Sequence, residues 1–92
     1  MLTGKEKRAL RAEGSLIKPE VWIGKEGVTT GTITNIENTF NTKELVKIKI
    51  HGNCPLDKKE VAESLCTKTS SELVQTIGRT LLLYRPFPEE NR

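Results

Sequence analysis

The sequence has few aromatic residues, one histidine, two cysteines and no long apolar run. Aromatic side chains make up 4% of the 92 residues, so the core must be aliphatic, and few rings remain for a sheet surface that stacks several bases. The longest apolar run, residues 81–84, is far shorter than the ~20 residues of a membrane-spanning helix. The first residues lack the apolar core of a signal peptide. We therefore expect a cytoplasmic protein without a membrane segment.

The shortage of acid–base and metal-binding residues argues against an enzyme. His51 is the only histidine, and no acidic partner or nucleophile accompanies it at a recognisable spacing. The glycine spacings of Walker and Rossmann nucleotide-binding motifs are absent as well. The sequence therefore predicts no catalytic residue, no metal site, no cofactor and no small-molecule substrate, with His51 as a surface or edge-strand residue.

The two cysteines are predicted to be reduced structural thiols. Cys54 lies beside a proline in a loop, and Cys66 falls well inside a predicted helix. Nine residues of helix alone separate positions by roughly 13 Å, which is beyond the reach of a disulfide. Neither cysteine belongs to a CxxC metal-binding pair.

Periodicity and capping signals predict one α/β (α+β) domain with seven elements in the order α-β-α-β-α-β-β. The predicted helices cover about 4–13, 29–41 and 57–69, and the predicted strands cover 21–23, 45–50, 73–77 and 81–85. Helices between successive strands favour parallel pairing, whereas a closing hairpin is antiparallel. We therefore expect helices packed on a four-stranded mixed sheet. The predicted domain spans 1–92, with a core of about 3–86 and a frayed tail over 87–92.

Local signals set several of these boundaries. Thr3 and Glu6 have the spacing of a capping box at the start of the first helix, which Gly14 is expected to end. The dipeptide Gly78-Arg79 predicts a two-residue hairpin connection with the arginine at its tip. Trp22 lies in a very short strand, where we expect it in the core rather than exposed and stacked on a base.

The most informative motif is Gly24-Lys25-Glu26-Gly27, between a predicted strand and a predicted helix. Glycines allow positive φ and let a partner approach the backbone, and the free N–H groups of the following helix favour an anion. KH modules use a GxxG loop to clamp a nucleic-acid backbone. The alternative is an ordinary tight turn, since two glycines at this spacing are common.

The basic residues are concentrated in the first half of the chain. Residues 1–50 carry nine lysines and arginines against six acidic residues, whereas residues 51–92 carry six of each. Such a patch attracts polyanions, although most charge runs are only solvated helix faces. The candidate RNA-contacting cations outside the loop are Lys18, Arg8, Arg11, Lys47, Lys49, Arg79 and Arg85.

Three of these cations have an alternative role. Lys47 and Lys49 alternate with apolar residues along a strand, so covering helices could claim the face on which they lie. Arg85 could contact RNA or pair with an acidic neighbour such as Glu72.

Four stretches together resemble the CRM (chloroplast RNA splicing and ribosome maturation) domain family, which includes small stand-alone YhbY-like proteins. The resemblance covers the chain from about Thr3 to Pro86. It rests on residues 16–19 before the first strand, 23–29 at the glycine loop, 43–49 at the second strand and 77–86 at the end. Each stretch is short, but the four occur in the family's order.

The resemblance implies a fold similar to the C-terminal domain of bacterial translation initiation factor three. It also implies RNA binding through the GxxG loop and neighbouring basic residues, in ribosomal precursor particles for stand-alone members and in intron splicing for plant members. By position, Gly24 and Gly27 match the family's loop glycines and Lys25 a variable middle residue. Glu26 departs from the basic or neutral residue expected there.

The sequence therefore predicts a monomeric protein that binds structured RNA, with ribosomal RNA in large-subunit precursors as the expected target. The alternative is a protein-interaction module that docks on a ribosomal or RNA-processing partner and touches RNA only incidentally. Salt dependence separates the two, because phosphate contacts weaken steeply with salt.

Overall fold

The computed structural model describes residues 2–88. Its helices and strands follow the predicted order, with most boundaries within one residue of those expected. They are α1 (Gly4–Gly14), β1 (Val21–Ile23), α2 (Thr30–Phe40), β2 (Leu45–Ile50), α3 (Lys58–Thr69), β3 (Glu72–Ile77) and β4 (Thr80–Tyr84). None of these helices is long and apolar enough to cross a bilayer.

The four strands form one mixed sheet in the order β1-β2-β4-β3. β1 pairs with β2 in parallel, and β4 pairs antiparallel with both β2 and β3. This arrangement confirms the predicted sheet, because α2 connects the parallel pair and a two-residue turn closes the antiparallel hairpin. Gly78 takes φ +56° in that turn, which a residue with a Cβ adopts poorly.

Helices cover the two sheet faces unequally. α2 and α3 lie on one face, where Val46, Ile48 and Ile50 alternate into the larger core. α1 lies on the other face against β2 and β3, over a smaller apolar cluster centred on Leu45, Val74 and Leu82. Because one short helix covers this second face, part of it stays open to solvent.

Caps fix the helix starts, as the sequence predicts. Thr3 and Glu6 form a capping box at α1, and the backbone N–H of Thr3 lowers the pKa of the Glu6 carboxyl. Asp57 caps α3 by accepting from the N–H of Glu60 at 2.8 Å. At the other end of the chain Phe87, within the tail predicted to fray, donates its N–H to the Glu44 carboxylate at 2.6 Å. Residues 89–92 lie outside the described part.

The prediction that Trp22 belongs to the core is wrong. Its neighbours Val21 and Ile23 are buried, but the Trp22 side chain is 53% exposed. The strand alternation turns Trp22 onto the α1 side of the sheet, at the edge strand that α1 leaves uncovered. A strand of three residues thus has one buried face and one open face.

Gly14 is needed for the contact of α1 with the sheet. It is the last residue of α1 and is buried, and a Cβ there would lie 2.4 Å from Leu82 Cδ2. We expect Gly14→Ala to lower the free energy of unfolding by about 1–3 kcal/mol, because α1 or Leu82 must shift in a packed cluster. Urea denaturation measures the change. Gly4→Ala is the control, because a Cβ at Gly4 meets no atom of residues 2–88 within 4 Å. Equal stabilities of the two variants would contradict this packing role.

Candidate nucleic-acid interface

The glycine loop is a tight turn between β1 and α2. The N–H of Gly27 donates to the carbonyl oxygen of Gly24 at 2.9 Å and closes the turn. Gly27 has φ +68°, whereas Gly24 is not among the described residues with positive φ. The expectation of positive φ therefore holds for Gly27 alone, where a side chain would strain the backbone.

Gly24 has room for a side chain. A Cβ built there would lie 3.7 Å from Asn53 Oδ1 and 4.0 Å from His51 Cδ2, which are ordinary contact distances. The fold therefore does not require glycine at this position. What the missing side chain leaves is a bare backbone surface next to the exposed side chains of Lys25 and Glu26.

Three chain segments meet at this end of the sheet: the glycine loop (24–28), the segment after β2 (51–57) and the hairpin tip (78–79). We call these segments, together with the adjacent Lys49 and Lys58, the loop end. The N–H of His51 donates to the carbonyl oxygen of Ile23 at 2.8 Å, and that of Ile50 donates to the carbonyl oxygen of Arg79 at 2.7 Å. Parallel pairing of β1 with β2 brings the first two segments together. The antiparallel β4 adds the hairpin tip.

The loop end carries more unpaired positive than negative charge. The structure gives Lys25, Lys49 and Arg79 no ion pair with any residue in 2–88, and all three are exposed. Lys58 adds a fourth charge, since its ammonium donates to the carbonyl oxygen of Gly78 at 3.2 Å. Of the acidic residues there, Asp57 is committed to capping α3. Glu26 is exposed beside Lys25 and opposes this potential in part.

The start of α2 faces the same loop. Thr29 caps the helix and accepts from the N–H of Thr32 at 3.1 Å, and the first turn holds no acidic residue. The partial positive charge of the helix N-terminus is therefore not neutralised by a side chain of its own helix. This partial charge adds to the positive charge of Lys25 within the turn.

Arg85 lies at the opposite end of the sheet, where its side chain holds elements together. Its guanidinium donates to Glu37 Oε1 at 2.6 Å and to the carbonyl oxygen of Thr69 at 2.9 Å. It also lies over the Phe40 ring, 4.7 Å from the centroid. Arg85 therefore pairs with an acidic residue, as one of the two alternatives expected, but the partner is Glu37 rather than Glu72. Glu72 instead lies 3.9 Å from Lys7 Nζ.

Lys47 is also engaged within the fold. Its ammonium donates to the carbonyl oxygens of Gly14 and Ile17, both at 3.2 Å, and so binds the C-terminal end of α1. α1 thus covers the sheet face at Lys47, which is the alternative role expected for this residue. Lys49, two residues further along β2, lies beyond α1 and is exposed.

The remaining predicted cations are spread along the α1 side rather than clustered at the loop. Arg8 and Arg11 lie on α1, with Arg11 beside a groove between α1 and the β3–β4 hairpin. Lys18 is exposed in the segment leading to β1. Of the eleven candidate residues, the loop end brings together Gly24, Lys25, Glu26, Gly27, Lys49 and Arg79.

Sequence reasoning did not select three residues of the loop end. His51 and Asn53 lie beside Gly24, and Lys58 lies at the hairpin. Pairing β1 with β2 in parallel would have indicated the first two, since the residues that follow parallel neighbours meet at one edge. Nothing in the spacing of Lys58 points to the hairpin, because that contact depends on where α3 begins.

The structure assembles no metal centre or disulfide among residues 2–88. No group of three or more potential ligands comes together in this range. Cys54 and Cys66 are both free in this range. Burial raises the pKa of the Cys66 thiol, which keeps it protonated and poorly reactive.

The family model of the CRS1/YhbY (CRM) domain matches residues 2–85. This chain belongs to the CRM domain family. The resemblance seen in the sequence is thereby confirmed over the helices and the whole sheet. The glycine loop of this CRM domain lies inside the matched region.

Relatives of this CRM domain occur in bacteria and plants. The probable RNA-binding protein YqeI of Bacillus subtilis is 41% identical over 92 residues, covering 100% of this chain and 96% of its own. The chloroplastic CRM-domain containing factor CFM2 of Arabidopsis thaliana is 34% identical over 80 residues, which cover 87% of this chain and 8% of that factor.

A solved relative has the same fold. The solution structure of a hypothetical Staphylococcus aureus protein, described as a candidate RNA binder, superposes with a TM-score of 0.81. The two chains are 44% identical, and the match covers 96% of this chain and 92% of the other. The arrangement of three helices on a four-stranded mixed sheet is therefore shared by this CRM domain and its bacterial relative.

Proposed function

We propose that this CRM domain binds structured RNA through its loop end, and that the RNA is ribosomal RNA in precursors of the large subunit. The observation that carries the proposal is the bare backbone at Gly24, where the fold leaves room for a side chain beside the exposed Lys25. The names of bacterial relatives, which describe RNA-binding proteins, support RNA as the ligand.

The chemistry of the loop end suits a phosphate backbone. A phosphate can approach the turn closely at Gly24, with the Lys25 ammonium and the start of α2 as the nearest positive groups. Arg79 at the hairpin tip would take a neighbouring phosphate, since its guanidinium offers several donors in a fixed geometry. The loop end thus contacts the sugar–phosphate backbone rather than base edges, which favours recognition of RNA shape.

The loop-end cations predict a specific salt dependence. A plot of log K against log[salt] has a negative slope. We expect Lys25→Gln combined with Arg79→Gln to make this slope less steep by about 1.5, because two phosphate contacts are lost. Lys5→Gln combined with Lys68→Gln removes the same charge at positions far from the loop end and should leave the slope nearly unchanged. Fluorescence anisotropy with a labelled ribosomal RNA fragment measures the slopes. Equal slopes for the two double variants would argue against specific phosphate contacts at the loop end.

Crosslinking in the native cells tests the proposed target. The tagged protein is crosslinked to RNA and purified under denaturing conditions, and the attached RNA is then sequenced. The Gly24→Asp variant is the control. We expect enrichment of large-subunit ribosomal RNA that the variant loses. Recovery of no RNA above background would favour the protein-docking alternative, and enrichment of another RNA class would replace the ribosomal target.

A further inference from the structure

A row of four residues crosses the whole sheet on the face that α1 leaves open. The strand registers pair Trp22 with Lys49, Lys49 with Thr80, and Thr80 with Ile77, so all four side chains share one face. The two ends of the row are exposed, with Trp22 at 53% and Ile77 at 63%. We call these four residues the open row. It lies at the same end of the sheet as the glycine loop.

The surface beside the open row is positive. A groove of about 280 Å³ between the end of α1 and the hairpin includes Ile77 and Thr80 of the row in its wall. Arg11 and Lys47 also line it, and no carboxylate of residues 2–88 does. With Lys49 in the row itself, next to Trp22, the open face offers an aromatic ring beside one cation that is free within residues 2–88, and Arg11 adds a second positive charge at the groove. That combination binds single-stranded nucleic acid, in which bases stack and phosphates carry charge.

We propose that the open row is a second RNA contact, on which an unpaired nucleotide next to the structured element stacks against Trp22 while its phosphate pairs with Lys49. The inference rests on the proposed RNA binding at the loop end and extends it to a single-stranded segment. Gly24 follows Trp22 by two positions, which is about 7 Å along an extended chain. A single RNA can therefore reach both the glycine turn and the indole ring.

The arrangement of the row favours a nucleotide over an apolar protein surface. Trp22 and Ile77 lie on the two edge strands, three strand spacings or about 14 Å apart. Lys49 and Thr80 fill the space between them, so the two exposed apolar side chains do not form one continuous patch. One ring with flanking charges matches a single stacked base and its phosphate.

The tryptophan itself reports on the contact, because the chain has only one. The probes are an RNA stem–loop and the same stem–loop with a single-stranded tail of adenosines at its 3′ end. We expect the tailed RNA to bind the full chain about tenfold more tightly and to quench the fluorescence of Trp22. The stem–loop alone should bind without this quenching.

Two substitutions separate stacking from apolar contact and from loop-end binding. Trp22→Leu keeps an apolar side chain but removes the ring, so it should abolish the roughly tenfold advantage of the tailed RNA. Trp22→Phe should retain much of that advantage. Gly24→Asp should weaken the binding of both RNAs. Thermal unfolding confirms that the variants fold, which the exposure of Trp22 leads us to expect.

The outcomes distinguish the two proposals. If Trp22→Leu binds the tailed RNA as tightly as the unchanged protein does, the open row is not an RNA contact, while loop-end binding stands. If neither RNA binds the unchanged protein, both proposals fail. Self-association that Trp22→Leu removes, with RNA affinity unchanged, would assign the row to a contact between two copies of the chain.

Discussion

Gly24→Asp is expected to lower the affinity for RNA at least tenfold while leaving the stability of the domain nearly unchanged. The fold has room for the new side chain, since its Cβ would lie no closer than 3.7 Å to a neighbouring atom. The carboxylate would then stand where a phosphate approaches the backbone. Two like charges about 4 Å apart near a protein surface repel by about 1–4 kcal/mol, and 1.4 kcal/mol corresponds to a factor of ten.

Matched variants separate charge from bulk. Gly24→Asn has nearly the same shape without the charge and should weaken binding less than Gly24→Asp. Gly4→Asp adds the same charge at the start of α1, where a Cβ meets no atom of the described residues within 4 Å and an acidic residue is favourable. Its affinity should match that of the unchanged protein. Filter binding at constant salt gives the affinities. Wild-type affinity for a folded Gly24→Asp variant would exclude the glycine loop as an RNA contact.

The two glycines of the motif therefore require different interpretations. Gly27 adopts φ +68°, so substitution there strains the turn and mixes a folding effect with any effect on binding. Gly24 has no such conformational requirement, and its substitutions report on the ligand. A double substitution of both glycines would not separate these effects. Position 24 is the informative one.

Much of the fold follows from short-range patterns in the sequence. The alternation in β2 identified the residues of its buried face, and the capping box of Thr3 and Glu6 located the start of the first helix. The glycine loop was placed correctly because it lies between a strand and a helix. Each of these features depends on neighbours a few residues away, which the sequence displays directly.

The long-range contacts were not accessible in the same way. Alternation shows that Trp22 and its neighbours face opposite sides of the sheet, but not how far α1 extends over one of those sides. Lys47 reaches an acceptor 30 residues away, and Arg85 reaches one 48 residues away. These partners depend on the packing of separate helices. Positive charge in the sequence therefore identified candidates without distinguishing cations that hold the fold from cations left free.

Arg85→Ala is expected to lower the free energy of unfolding by about 2–3 kcal/mol, the largest loss among the cations considered. The substitution removes charged hydrogen bonds to α2 and to the end of α3, together with the contact over Phe40. Charge-assisted hydrogen bonds contribute roughly 1.5–3 kcal/mol, and a cation–π contact about 0.5–1 kcal/mol more. The Glu37 carboxylate is 40% exposed and regains water, which limits the loss.

Arg79 provides the matched comparison, because Arg79 and Arg85 flank the two ends of β4. Arg79 is exposed and has no ion pair within residues 2–88, so Arg79→Ala should change stability by less than about 0.5 kcal/mol. Arg85→Ala should lower Tm by on the order of 10 °C, and its folded form should bind RNA normally. Thermal unfolding and RNA titration of both variants give opposite patterns if β4 carries a structural arginine at one end and a binding arginine at the other. Weakened RNA binding by folded Arg85→Ala, at a temperature well below its transition, would place Arg85 in the interface as well.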